Sequence, residues 1–515
     1  MRKLILLLGL CCSLGAQPKV PASKPAAAVQ TRQPKLILAI MVDQFRYDYL
    51  TRFRGEFKDG LKRILTEGAV FTNAHYEASP TVTAVGHSTV LTGATPALSG
   101  IVSNDWWDRA TGKRVTSVSD DSTQLLGATG AGSSPLRLLQ STVGDELKMS
   151  GRGGKTIGIS LKDRSAILPV GRMANGAYWF DGRNGAFVSS TYYFSKLPAW
   201  AEEFNLAHAA DKYAGRTWLN TKLPAAPGAQ LYAAIDATAY ADELVNQFAL
   251  RALAAEKLGT GAKIDLLAVS YSATDYVGHR LGPDSPEAHE IVMHVDKIVG
   301  ELLRAAEAQA GIGNVLAVLS ADHGVAPVPE LSKERKMPGG RINWPAYAAI
   351  GEKALTERFG AGKWFAYSMD GVIYFNSDPV PGKKIDPAEV QRVFADVIRA
   401  QPHIFRVYTY SQLASGAVGM DQVDQRVRNG FNTARSWDIF TVLEPYWLFN
   451  PTGTSHGSPF DYDAHVPVIF FGPQIRPGSY HRNVGVQDIA PTLASILGIE
   501  TPSGSMGRVL DEMLR

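Results

Sequence analysis

The sequence predicts an α/β protein: a doubly wound central sheet with helices on both faces. Two observations predict it. Apolar runs of strand length recur at residues 35–42 (KLILAIMV), 155–161 (KTIGISL), 264–270 (IDLLAVS), 315–319 (VLAVL) and 466–472 (VPVIFFG), the pattern of strands buried on both faces. Helix-periodic stretches separate them, and several runs end directly in Asp, His or Lys, where open α/β sheets gather their ligands. At 515 residues and 45% apolar, the chain is long enough for one large domain with insertions, or for two to three domains.

Residues 1–16 read as a secretory signal. Arg2 and Lys3 precede an apolar stretch over 4–14 that is too short to span a bilayer, and cleavage after Ala16 would leave an exported, periplasmic or secreted protein. A lipoprotein signal is the alternative, since Cys11 and Cys12 lie in that stretch, but Leu8-Gly9-Leu10 makes a poor lipobox. These are the 2 cysteines of the sequence, so the mature protein is expected to hold no disulfide and to depend on core burial and bound metal. No later segment is apolar for long enough to cross a membrane. A net charge of +3, with scattered basic residues, argues against nucleic-acid binding. Residues 17–34, rich in Pro, Ala, Gln and Lys, form a linker.

One domain is expected over 35–515, with insertions around 165–255 and 330–445. The first strand leads straight into Asp43, read as a ligand at a strand end or as a helix cap. A short amphipathic helix over 60–68 and a return strand over 69–76 follow. In 78–96 (ASPTVTAVGHSTVLTGATP), Pro80 and the β-branched residues 81–83 favour an extended approach, 84–91 continue as helix, and Gly93 and Pro96 stop it. Thr83 then sits at a helix N-terminus, where free N–H groups and the dipole favour an anion or a developing alkoxide; an ordinary N-cap is the other reading. Asn104 lies in a polar turn.

The strand over 155–161 runs into Lys162-Asp163-Arg164. Strand alternation would project Lys162 and Arg164 to one side, as a phosphate clamp or as two solvated charges. After a helix over 236–257 and the strand over 264–270, Asp275 and His279 stand four apart, one helical turn. Residues 290–310 form a packing helix. The strand over 315–319 ends in Asp322-His323-Gly324. A helix near 387–400 and strands near Val372 and Phe405 make 330–445 an α+β lobe. Gly453-Thr-Ser-His456-Gly457 presents one histidine from a Gly-flanked loop, and a helix over 488–497 closes the chain.

Asp43, Asp275, Asp322, His279, His323 and His456 together offer three carboxylates and three imidazoles, ligands that suit zinc and suffice for two ions. Two-metal sites stabilise both attacking and leaving oxygens in phosphoryl transfer. With the stretches VDQFRYDYL, PTVTAVGHSTVLTG, SLKDRSAI, SATDYVGH, SADHG, TSHG and DIAPTLASILG, the sequence resembles the alkaline phosphatase superfamily. It is most similar to the threonine-nucleophile branch, the phosphate-irrepressible alkaline phosphatases. No match appears to the serine nucleophile and magnesium site of the better-known bacterial enzymes.

The resemblance implies an alkaline-phosphatase-like fold and two Zn2+ per chain. It places Asp43, Thr83, Asp322 and His323 around one ion, and Asp275, His279 and His456 around the other. Thr83 is implied as nucleophile, with Asn104, Lys162 and Arg164 holding the phosphoryl oxygens; Lys162 and Arg164 mark monoesterases. The expected activity is hydrolysis of small phosphate monoesters with broad specificity through a phosphothreonine, by a monomer, with inorganic phosphate as product and inhibitor. The rivals are a phosphodiesterase or nucleotide pyrophosphatase, an arylsulfatase (which Thr83 cannot serve as formylglycine precursor) and a non-catalytic metal- or phosphate-binding exported protein.

Overall fold

The computed structural model describes residues 33–515. The expected signal over 1–16, and all of the linker but its last two residues, lie outside the described residues.

The apolar runs pair into one sheet of 11 strands. In order these are Gly478–Tyr480, Ala69–Phe71, Val468–Phe471, Val315–Ser320, Leu36–Val42, Ile264–Tyr271, Gly153–Ser160, Gly176–Asp181, Ala186–Ser190, Ser119–Leu126 and Ala131–Ser133. The middle five, from Val315–Ser320 to Gly176–Asp181, are mutually parallel, and antiparallel strands flank them. Every residue of Leu36–Val42 and of Ile264–Tyr271 is buried, because helices cover both faces of the parallel region. The helix Pro286–Ala310 lays Ile291, Val295, Ile298, Leu302 and Ala306 on the sheet at helical spacing.

The register decides where the site lies. Val42 pairs with Tyr271, Met41 with Ser320, and Ser270 with Ser160. Four neighbouring parallel strands therefore end level with one another. The residues just beyond those ends are Asp322 and His323, Asp43, the segment leading to Asp275, and Lys162.

Three expectations meet a different arrangement. Residues 69–76 split into Ala69–Phe71, in the central sheet, and Ala74–His75, which pairs with Val484–Gly485. The run 165–255 is not a separate insertion, since Gly176–Asp181 and Ala186–Ser190 continue the central sheet. Its Gly and aromatic content obscures the alternation that marks a strand. Lys162 and Arg164 do not share a strand face: the strand stops at Ser160, Lys162 caps the helix Asp163–Ile167, and Arg164 lies inside it.

Residues 340–449 hold a second, smaller sheet in the order Phe365–Met369, Val372–Phe375, Ile439–Leu443, Ile404–Thr409. The helices Trp344–Phe359 and Pro387–Arg399 pack on it around Trp364, Phe394 and Ile398.

Candidate active site

Val82 is extended and Thr83 opens the helix Thr83–Thr92, which ends at Gly93 with φ 66°. All ten helix residues are buried, so this helix is held by close packing rather than by an amphipathic face. Gly86 is required by that packing: a Cβ there would overlap the backbone of Asp322. The backbone N–H of Ala84 donates to Asn104 Oδ1 at 2.8 Å. That bond fixes the orientation of the amide and leaves the Asn104 Nδ2 donors uncommitted by it.

The three histidines share one device. His279 Nδ1–H donates to the Thr454 carbonyl at 2.9 Å, His323 Nδ1–H to the Gly324 carbonyl at 2.9 Å, and His456 Nδ1–H to the Thr81 carbonyl at 2.7 Å. A carbonyl can only accept, so each ring carries its proton on Nδ1 and offers the Nε2 lone pair. Those Nε2 atoms converge on carboxylates. His279 and His456 lie 3.2 and 3.7 Å from Asp275 Oδ1, while His323 lies 3.5 Å from both Asp43 Oδ1 and Asp322 Oδ2. The rings of His323 and His456 stack at 3.5 Å.

Among the described residues, two groups of side-chain atoms are close enough to hold a metal ion: Asp275 with His279 and His456, and Asp43 with Asp275 and His323. Asp275 belongs to both. Asp322 stands beside the second group, its Oδ1 accepting from the Gln44 N–H at 3.0 Å. Among the described residues, Asp43 Oδ1, Asp322 Oδ2 and His323 Nε2 are buried without hydrogen-bond partners, His87 Nδ1 lying 3.2 Å from Asp322 Oδ2. Unpaired ligand atoms of this kind, facing one another, are the chemistry of a cation site, and the mixed imidazole–carboxylate set fits a divalent metal ion.

The electrostatics agree. Burial, then the neighbouring Asp322 charge, drives the Asp43 carboxyl well above the usual range. Asp275 is also opposed by burial, but Lys162 and His279 outweigh that and hold it well below. Burial is likewise the largest effect on His323 and His456; both are pushed down, hence neutral and able to ligate.

Lys162 Nζ bonds Asp43 Oδ2 and Asp275 Oδ2, both at 2.5 Å. Burial opposes its charge, yet the two carboxylates win and raise its pKa. Arg164 stands apart: its Nη1 lies 3.9 Å from Asp163 and its Nε is buried without a partner among the described residues. The pair is thus one carboxylate-bound ammonium and one largely uncommitted guanidinium, not two matched cations.

Gln44 carried no sequence signal, yet it ties the site together. It is fully buried with φ 58°, its N–H serves Asp322, and its Nε2 donates to Asp275 Oδ1 at 2.7 Å. Its position directly after Asp43 was the available hint. His87 is similarly committed, donating from Nδ1 to the Thr83 carbonyl at 2.9 Å with Nε2 2.8 Å from Ser270 Oγ.

A parallel α/β sheet with carboxylate–imidazole clusters at its C-terminal edge, beside a threonine on a helix N-terminus, defines a hydrolase of the alkaline phosphatase superfamily. The chain belongs to the type I phosphodiesterase / nucleotide pyrophosphatase family, whose model matches residues 37–457. It is 35% identical to alkaline phosphatase PhoV of Synechococcus elongatus, over 98% of this chain and 98% of that protein. It is 32% identical to alkaline phosphatase PafA of Elizabethkingia meningoseptica, over 94% and 95% of the two chains. The crystal structure of PafA superposes with a TM-score of 0.88 at 32% identity, covering 94% of this chain and 99% of that one.

Proposed function

We propose that this protein is an exported, zinc-dependent alkaline phosphatase that hydrolyses phosphate monoesters through a phosphothreonine at Thr83. The observation that carries it is the convergence of three Nδ1-anchored imidazoles on the buried Asp43–Asp275–Asp322 cluster. Export rests on the signal-like residues 1–16; among the described residues, no helix is long and apolar enough to cross a membrane. The similarity to PhoV and PafA supports the activity.

His279 and His456 with Asp275 would hold one zinc ion, and Asp43, Asp322, His323 and Thr83 the other, with Asp275 within reach of both. Zinc bound there supplies Lewis acidity to the reacting oxygens. The chain's own residues do the rest. The Thr83 hydroxyl attacks phosphorus: the Oγ–P bond forms, the bond to the leaving oxygen breaks, and the alcohol departs with a proton. Water then forms its own bond to phosphorus, the Oγ–P bond breaks, and inorganic phosphate leaves with Thr83 restored. Charge in this transition state spreads over the phosphoryl oxygens. Asn104 Nδ2, Lys162 and Arg164 offer donors to them. A monomer acting on small monoesters, with phosphate as product and inhibitor, follows from the same reading.

The test is the ratio of kcat/KM for p-nitrophenyl phosphate to that for bis-p-nitrophenyl phosphate, with and without chelator. A monoester carries about two charges and three free oxygens, a diester one charge and a blocked oxygen. Each charge-assisted contact can be worth about 1.5–3 kcal/mol. Lys162→Ala/Arg164→Ala should therefore lower monoester turnover by about two to four powers of ten and diester turnover far less. An unchanged ratio would mean that the two cations are surface charges or act equally on both substrates, removing the main support for a monoesterase; a wild-type preference for the diester would favour the diesterase reading instead.

A further inference from the structure

A cavity of about 340 Å³ opens from the site toward the smaller sheet. One end is bounded by Asn104, His279 and His456, the other by Tyr367, Phe440, Trp447 and Phe449 of the 340–449 region. The two ends are tied together, because Tyr367 OH donates to Asp105 Oδ1 at 3.1 Å, next to Asn104. Tyr367, Trp447 and Phe449 are only partly buried where they line the cavity, one face of Trp447 being covered by the stacked His403 ring at 3.4 Å.

Away from His279 and His456 the charged lining is acidic: among the described residues it contains no Lys or Arg, but does contain Asp105, Asp370, Glu444 and Asp463. Three of these acids are engaged: Asp105 by Arg114 at 2.9 Å, Glu444 by His403 at 3.0 Å, and Asp463 by Ser458 at 2.6 Å. Asp370 has no ion-pair or hydrogen-bond partner among the described residues. It sits at φ 44° in the Asp370–Gly371 turn joining Phe365–Met369 to Val372–Phe375, at the rim of the cavity.

We infer that this cavity receives the leaving group of the substrate, and that it selects aromatic or bulky apolar alcohols that are neutral or cationic over those bearing a second negative charge. The inference rests on the phosphatase reading above and adds the substrate class. Phosphoryl recognition stays general, so shape is read loosely while charge is not. Aromatic faces attract cations and apolar rings alike, and an unpaired carboxylate beside them repels anions.

Three aryl esters that differ in the charge of the para substituent test this: phenyl phosphate, 4-carboxyphenyl phosphate and 4-(trimethylammonio)phenyl phosphate. Comparing kcat/KM ratios between wild type and Asp370→Asn cancels the esters' intrinsic reactivities. Asparagine tolerates the left-handed turn, so the fold is kept. The cationic-to-anionic ratio should fall about three- to fivefold in Asp370→Asn, the size of one partly solvated charge contact. Phe449→Leu should raise KM for phenyl phosphate about three- to tenfold while leaving inhibition by inorganic phosphate unchanged, since phosphate brings no leaving group. An unmoved ratio overturns the inference, as does a KM that stays put or moves in step with the phosphate inhibition constant. A protein that turns over none of the three esters overturns the phosphatase reading itself.

Discussion

Thr83 and Thr81 lie two residues apart and do different work. Thr83 begins a buried helix whose first turn is fastened to Asn104. Thr81 precedes it, its hydroxyl donating to the Ser458 carbonyl at 2.9 Å while its own carbonyl anchors His456. Thr83→Ala should lose three or more powers of ten in kcat/KM, because it removes the hydroxyl proposed to carry the phosphoryl group, yet keep its metal. Thr81→Ala keeps the carbonyl and should be far milder. Metal analysis beside the p-nitrophenyl phosphate assay checks both; a dead Thr81→Ala with an active Thr83→Ala would reassign the nucleophile. His456→Ala removes one of the three groups Asp275, His279 and His456 and should drop zinc content from about two ions per chain toward one.

At the scale of elements, the site depends on two close fits. Gly86 lets the helix Thr83–Thr92 touch the Asp322 backbone. Gly86→Ala must push them apart, and a displacement of about 1 Å at reacting groups can lower kcat/KM by about a hundredfold. Unchanged activity in Gly86→Ala would show that the approach is not needed.

The second fit is Asp242, fully buried on the helix Ala239–Ala255, which accepts from the N–H groups of Ser272 and Ala273 at 2.9 and 3.0 Å. It thereby holds the start of Ala273–Leu281, the helix that bears Asp275 and His279. Burial raises its pKa to about 7, against the lowering pull of those two bonds. The unfolded carboxyl titrates near ~3.9. Between these values the folded chain holds a proton that the unfolded chain releases, so this contribution to stability is full at low pH and is lost as pH rises through about 7. Asp242→Asn cannot titrate. Relative to wild type it should gain about 1–3 kcal/mol between pH 5 and pH 8, measured by denaturant unfolding at both. A constant difference would mean Asp242 is ionised throughout.

Over the whole molecule, three buried carboxylates crowd one corner of the sheet, and one ammonium partly neutralises them. Metal bound only by the folded state stabilises it by about 2.7 kcal/mol per site at a hundredfold excess over Kd. Chelation should therefore lower the melting temperature by several degrees, and zinc should restore it better than magnesium, which prefers oxygen ligands to imidazole. Equal melting curves with chelator, zinc and magnesium would count against a metal centre in the folded protein.

The core strands 35–42, 155–161, 264–270 and 315–319 were legible because burial on both faces writes itself as an unbroken apolar run, whatever the neighbours are. The polar residues after those runs were legible too, since nothing in the apolar pattern accounts for an Asp or His placed there. The pairing Asp275–His279 followed from helical spacing alone. What the sequence could not contain was register. That Val42, Tyr271, Ser320 and Ser160 end level is a property of strand pairing between segments far apart in the chain, and it draws five candidate ligand residues and Lys162 into one corner, to which the 453–457 loop adds His456. The same holds for Gln44, whose left-handed backbone and two hydrogen bonds, to Asp322 and to Asp275, exist only after the strands align. It holds for Lys162, turned onto the carboxylates by a helix that starts where a strand seemed to continue. Local pattern fixes which surface of each segment is buried; long-range pairing fixes which chemistry meets there.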